Sequence, residues 1–160
     1  MVTMTSNTTP APYVASASNE ADADHRAFRA FDNDANYAWM TGSGSGPPWW
    51  LKFDWGPGSG RVLSRYTVAC QDFYSVFFYQ RCPANWEIQG SNDDLTWDVL
   101  DTVVGQTGWP ANQVRVFECD VQLVAYRYFR MYITLNGGAP WADIVVVSGL
   151  DLGRGLNKFY

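Results

Sequence analysis

The strongest constraint on this chain is a two-residue rhythm. In WWLKFDW, residues 49–55, Leu51, Phe53 and Trp55 fall on one side while Lys52 and Asp54 fall on the other. Successive side chains of a strand point to opposite faces, so this segment reads as a half-buried strand. WEIQGS at 86–91 repeats the rhythm, with Trp86 and Ile88 inward and Glu87 and Gln89 outward. YFRMYITL at 128–135 sets a core face of Phe129, Met131, Ile133 and Leu135 against Tyr128, Arg130 and Tyr132. DIVVVSGLDL at 143–152 supplies a late strand. Clusters of Gly, Pro, Asn and Asp separate these runs, among them the loop TGSGSGPP at 41–48. Helical spacing occurs in ADADHRAFRAF at 21–31, where Ala27, Phe28 and Phe31 share a face over a turn or two. Many short strands with so little helix predict a single all-β domain, a sandwich or a barrel.

The segment PANWEIQGSNDDLTWDVLD, residues 83–101, reads as a hairpin. Asn92, Asp93 and Asp94 supply the turn chemistry, and Trp86 and Trp97 are both expected to be buried on either side of it. With 8 Trp, 9 Tyr and 9 Phe the chain is too aromatic for a disordered protein. Eleven Lys+Arg stand against 16 Asp+Glu, a net charge of −5, which argues against nucleic acid and against anionic membrane surfaces, since both bind clustered cations. No run approaches the ~20 apolar residues that membrane insertion requires. The opening MVTMTSNTTP lacks the basic start and apolar stretch of a signal peptide, so synthesis in the cytoplasm without export by that route is expected. Release by lysis, as in a virus particle, is then one way to reach an extracellular surface. Cys70, Cys82 and Cys119 form an odd, sparse set. They read either as small buried apolar groups or, for Cys70 and Cys82, as a clasp across the intervening loop.

Several segments, in their order and spacing, are familiar. AFDNDANYAW at 30–39, WWLKFDWG at 49–56, the hairpin at 83–101, GQTGW at 105–109 and YRYFRMYIT at 126–134 resemble the coagulation-factor C-type, or discoidin, domain. That group includes the galactose-binding-like carbohydrate-binding modules. The likeness covers residues 12–152, leaving 1–11 as an N-terminal extension and 153–160 as a C-terminal tail. The opening residues also resemble copies of this domain in bacteriophage tail and surface proteins. The resemblance implies an eight-stranded antiparallel jelly-roll sandwich with its ligand site on loops at one end. Carried onto this chain, those loops are 18–26, 72–81 and 136–141.

Two of these loops carry aromatic and polar groups of the kind that bind sugars. Pyranose faces stack on aromatic rings, and their hydroxyls accept and donate in-plane hydrogen bonds. In DFYSVFFYQR at 72–81, Phe78, Tyr79 and Arg81 are candidates, although Phe77 and Phe78 could instead cap the sandwich or face a partner subunit. In NGGAPWAD at 136–143, Trp141 is a platform and Asn136 its hydrogen-bonding neighbour, unless the Trp packs on its own domain. His25 lies in the first loop, beside Asp22 and Asp24, where a solvated helix start is the plainer reading. Asp32, Asp34 and Asn36 alternate oxygen ligands suited to calcium, or else form Asx turns. Relatives complete a structural calcium site with a Glu near the final strand, where this chain has Gly149, so no cofactor is expected beyond that possible ion.

There is no H-E-x-x-H, phosphate loop, C-x-x-C or G-x-S-x-G elbow, and the chain has 1 His. The expectation is therefore no enzyme. The sequence points to a non-catalytic glycan-binding adhesion module displayed on a virus particle or similar assembly, its partner a cell-surface glycan. The alternative is a structural virion protein, a decoration or tail component whose aromatic loops meet other virion subunits.

Overall fold

In the computed structural model the chain is described over residues 2–70, 78–110, 113–120, 123–138 and 143–153, with the side chains of Phe78 and Tyr79 outside that description. The strands, in chain order, are β1 (Val14–Ala17), β2 (Trp39–Met40), β3 (Trp49–Asp54), β4 (Arg65–Cys70), β5 (Pro83–Ser91), β6 (Asp98–Val103), β7 (Gln113–Glu118), β8 (Tyr128–Asn136), β9 (Val146–Val147) and β10 (Gly149–Leu152). They form a five-stranded sheet ordered β1-β3-β8-β5-β6, a three-stranded sheet ordered β10-β4-β7, and a short β2-β9 pair. Every pairing is antiparallel. The two larger sheets are the jelly-roll sandwich the sequence implies.

The alternation decides which face each strand buries. Leu51 lies opposite Met131 and Phe53 opposite Phe129, and Ile88 meets Met131 from the other side. All five side chains are buried in one core, which the second sheet closes with Tyr66, Val68, Leu150 and Leu152. Leu135 departs from its expected inward position. It is 49% exposed, because the pairing of β5 with β8 shifts register between Pro83 and Trp86 and breaks the alternation there. The expected helix is one 3₁₀ turn, Ala27–Ala30, whose Ala27 and Phe28 are buried.

A hydrogen-bonded chain ties the sheets together through the core. The Trp86 indole N–H donates to the Tyr66 hydroxyl at 2.9 Å, and that hydroxyl donates to Asp101 at 2.6 Å. Burial and the Asp101 carboxylate both raise the Tyr66 pKa, so the phenol stays protonated and keeps donating. Trp86 is thus buried as expected, but Trp97 is not. It precedes β6 and turns onto the outer face of the large sheet, half-buried, with the Arg130 guanidinium 4.1 Å from its ring centroid. The turn itself is polar as predicted. Asp93 accepts from the N–H groups of Thr96 and Leu95, which hold its carboxyl down at about 2. Gly90 is required beneath this turn, since a Cβ there would lie 2.6 Å from the Tyr126 ring.

Residues 2–11 pack against the sandwich. Met4 is 1% exposed and its N–H donates to the Phe31 carbonyl at 3.0 Å. Asn7 donates to Glu20 at 2.8 Å and accepts from the Phe28 N–H at 3.0 Å. Of the two readings of the cysteines, the clasp is present. Cys70 and Cys82 form a disulfide joining the end of β4 to the start of β5, while Cys119 is free and half-buried, its thiol pushed up to about 12 chiefly by burial. Among the described residues no helix is long and apolar enough to cross a membrane.

Candidate functional site

The register places the ends of β1 and β8 and the starts of β3 and β5 at one pole of the sandwich: Ala17 pairs with Leu51, Trp49 with Ile133, and Pro83 with Asn136. The disulfide fixes the base of the 72–81 loop to that pole. A backbone bond from Gly137 N–H to the Cys82 carbonyl, at 2.9 Å, ties the residue after β8 to the residue before β5. The first loop joins through β2, where the Met40 N–H donates to the His25 carbonyl at 3.4 Å and the Ala21 N–H to the Met40 carbonyl at 2.9 Å. Residues 21 and 25 thus meet Met40, and Gly137 is bonded at Cys82, next to Arg81.

Arg81 stands at this meeting point. It ends the second 3₁₀ turn, Phe78–Arg81, and its Nη1 approaches the Met40 sulfur at 3.8 Å. Partial burial pulls the guanidinium below its ordinary pKa, and the nearby Asp143 carboxylate works in the opposite direction. Asp143 is itself held from the 41–48 loop. Its Oδ2 accepts from the Gly44 N–H at 2.6 Å, and its carbonyl from the Ser45 hydroxyl at 3.2 Å. The same Ser45 hydroxyl accepts from the Trp49 indole at 3.0 Å, which anchors the loop to the start of β3. Asn19 closes the rim by accepting from the Gly42 N–H at 2.6 Å. This pole thus offers a cation, Arg81, and within its electrostatic reach a carboxylate, Asp143, held by the 41–48 loop.

The other candidates divide. His25 is at the pole, its Nδ1 2.8 Å from Asp22 Oδ1, a bond that lowers the Asp22 pKa. Asn136 is also there, but only 2% exposed. Its Nδ2 donates to the Ile144 carbonyl at 2.6 Å and its Oδ1 accepts from the Gly138 N–H at 3.1 Å, so the amide braces its own loop from inside. Trp141 and the side chains of Phe78 and Tyr79 lie outside the described residues. Sequence reading missed Asp143, Met40 and Asn19. Asn19 lies in the first candidate loop and Asp143 ends NGGAPWAD, but neither is picked out there as sugar chemistry.

The candidate calcium loop is occupied by internal bonds. Asp32 Oδ1 accepts from the Asp34 N–H, and Asp34 Oδ1 from the Asn36 N–H and Nδ2, each at 2.9 Å, which are Asx turns. Asp32 Oδ2 pairs with Arg29 Nη1 at 3.2 Å, and that guanidinium lies 3.9 Å from the Tyr37 ring centroid. Burial raises the Asp32 pKa. Gly149, at the start of β10, brings no carboxylate, and among the described residues no three His, Cys, Asp or Glu are grouped for a metal. The Asp32 and Asp34 carboxylates are thus already engaged, by Arg29 and by backbone N–H groups of their own loop.

Residues 14–147 match the F5/8 type C domain. The chain belongs to this family. Among solved structures, this F5/8 type C domain is similar to the family 32 carbohydrate-binding module of Clostridium perfringens NanJ in complex with galactose, at 17% identity and a TM-score of 0.67, covering 88% of this chain and 92% of that one. A second is CpGH89CBM32-5 of the same organism in complex with GalNAc-β-1,3-galactose, at 11% identity and a TM-score of 0.68, covering 89% and 95%. A third is chitosan-binding module 1 from a chitosanase/glucanase of Paenibacillus sp. IK-5, at 19% identity and a TM-score of 0.66, covering 88% and 94%. At these identities the likeness establishes the galactose-binding-like sandwich. A search of curated proteins found no match.

Proposed function

We propose that this F5/8 type C domain is a non-catalytic glycan-binding module whose ligand sits at the pole around Arg81. The observation that carries this reading is a partly buried guanidinium, Arg81, within electrostatic reach of a carboxylate, Asp143, that the 41–48 loop holds in position. An arginine and an acid side by side can donate to and accept from neighbouring sugar hydroxyls at once, which a lone charge cannot. Structural neighbours solved with galactose and with GalNAc-β-1,3-galactose support the ligand class. His25, the chain's one histidine, is held by Asp22 as an ordinary surface pair, which supports binding over catalysis.

Display on a virus particle or other multiprotein surface is proposed from the likeness of the opening residues to phage surface proteins. Purified protein on a glycan array that includes galactosides and chitosan oligosaccharides tests the central reading. Saturable binding to a defined glycan, with no release of reducing ends, is expected. An empty array, or release of reducing sugar, contradicts it.

A further inference from the structure

Residues 2–11 precede the stretch that matches the family, residues 14–147, yet they take hold of the first loop of the ligand pole. That hold is one side chain, Asn7. Its Nδ2 donates to Glu20 Oε1 at 2.8 Å, and its Oδ1 accepts from the Phe28 N–H at 3.0 Å. The same Glu20 oxygen accepts from the Ala27 N–H at 2.8 Å. Glu20 stands near the start of the 18–26 loop, and Ala27 and Phe28 follow its end. An amide and a carboxylate together therefore close the loop at its base.

These bonds answer a need of the local backbone. Ala27 and Phe28 open the 3₁₀ turn Ala27–Ala30, and the first N–H groups of a helical turn have no acceptor within it. A polar residue just before the turn ordinarily accepts from them, but Arg26 stands there and makes no side-chain cap. Glu20 and Asn7 cap the turn instead, from 7 and 21 positions away. Asn7 can do so because it is anchored on both sides. Its carbonyl accepts from the Ala15 N–H of β1 at 2.8 Å, and upstream Met4 is buried in the core with its N–H on the Phe31 carbonyl. Beyond its base the loop brings the backbones of Ala21 and His25 to Met40, whose sulfur lies against Arg81. A continuous run of contacts thus joins the N-terminal segment to the proposed ligand cation.

From this we infer that Asn7 is a positioning residue for the ligand pole, through which the N-terminal segment fixes loop 18–26 before any ligand arrives. A loop ordered in advance spares the ligand the cost of ordering it. That the ligand is a glycan at the Arg81 pole rests on the proposal above; the hold on the loop does not.

The test uses the full chain and two readouts, one of them free of ligand. Asn7→Ala removes both bonds from a half-buried side chain outside the core, so the sandwich should still fold. Its Ala27 and Phe28 amide protons should exchange at least about tenfold faster than in the wild type, while those of β8 keep their rates. Glu20→Ala, which removes the other cap, should do the same at Ala27. The second readout is calorimetric titration, well below the melting transition, with the tightest-binding galactoside or chitosan oligosaccharide of the array. Asn7→Ala should bind it at least about threefold more weakly, because the ligand must now order the loop itself. Trp97→Ala, altered on the outer sheet face, should bind like the wild type, as Asn7→Ala would if its role were stability alone. Wild-type exchange at Ala27 and Phe28 in folded Asn7→Ala and Glu20→Ala overturns the inference. So does faster exchange with wild-type affinity in Asn7→Ala when Arg81→Ala binds weakly, a result that leaves the glycan pole standing. If Arg81→Ala also binds like the wild type, the reading of the pole fails as well.

Discussion

Replacing Trp86 and Trp97 separately with alanine should have unequal consequences, although the two residues flank the same turn. Trp86 is 1% exposed, meets Phe117 edge to face at 5.1 Å and gives its indole N–H to Tyr66. Truncating a buried tryptophan costs about 3–5 kcal/mol, and Tyr66 keeps Asp101 as a partner, so the lost hydrogen bond adds little. For a domain of this size each kcal/mol moves the melting temperature by about 2–4 °C, so Trp86→Ala should melt roughly 6–20 °C lower. Trp97 sits on the outer face against Arg130, an exposed cation–π contact worth about 0.5–1 kcal/mol. Trp97→Ala should therefore melt only about 1–4 °C lower. Thermal melts by circular dichroism at one pH and salt concentration decide it. Equal losses in the two variants would refute the assignment of Trp97 to the outer face, and a negligible loss in Trp86→Ala would refute the inter-sheet clasp.

Reducing the Cys70–Cys82 bond, whose sequence separation is 12, should cost about 3 kcal/mol by the loop-entropy relation, seen as a lower urea midpoint with reductant present. Denatured but unreduced protein should titrate a single thiol, that of Cys119, and three thiols would disprove the bridge. Because Arg29 occupies the Asp32 carboxylate, EDTA or added calcium should move the melting temperature by no more than about 2–4 °C, roughly 1 kcal/mol. A large drop with EDTA would mean that backbone carbonyls complete a strong site in that loop.

How far the sequence was legible follows from where physical periodicity reaches. Leu51, Phe53, Ile88, Phe129 and Met131 could be assigned inward because a strand alternates, and all five are buried. Trp97 lies one residue before β6, where alternation no longer dictates direction, so composition suggested a core that the chain does not use. Leu135 failed for a related reason, since a register shift is not written in the hydrophobic pattern. At the candidate site, Arg81 and Asn136 were recognisable as sugar chemistry. Their difference was not. Asn136 braces the backbone of residues 138 and 144, and only the folded loop reveals that its amide is already engaged. Asp143 reaches the pole through a bond to Gly44 spanning 99 positions, a contact that no local reading could find.

The central claim, that glycan binds at the Arg81 pole, is tested most directly by calorimetric titration of the best array glycan into wild type, Arg81→Ala and Asp143→Asn. Losing a guanidinium from a binding centre costs more than about 1 kcal/mol, so Arg81→Ala should weaken binding at least fivefold while its melting temperature stays near that of the wild type. Asp143→Asn should weaken it in the same direction. If both variants are folded and bind the glycan as tightly as the wild type, the ligand lies elsewhere on the domain and the account of this pole is wrong.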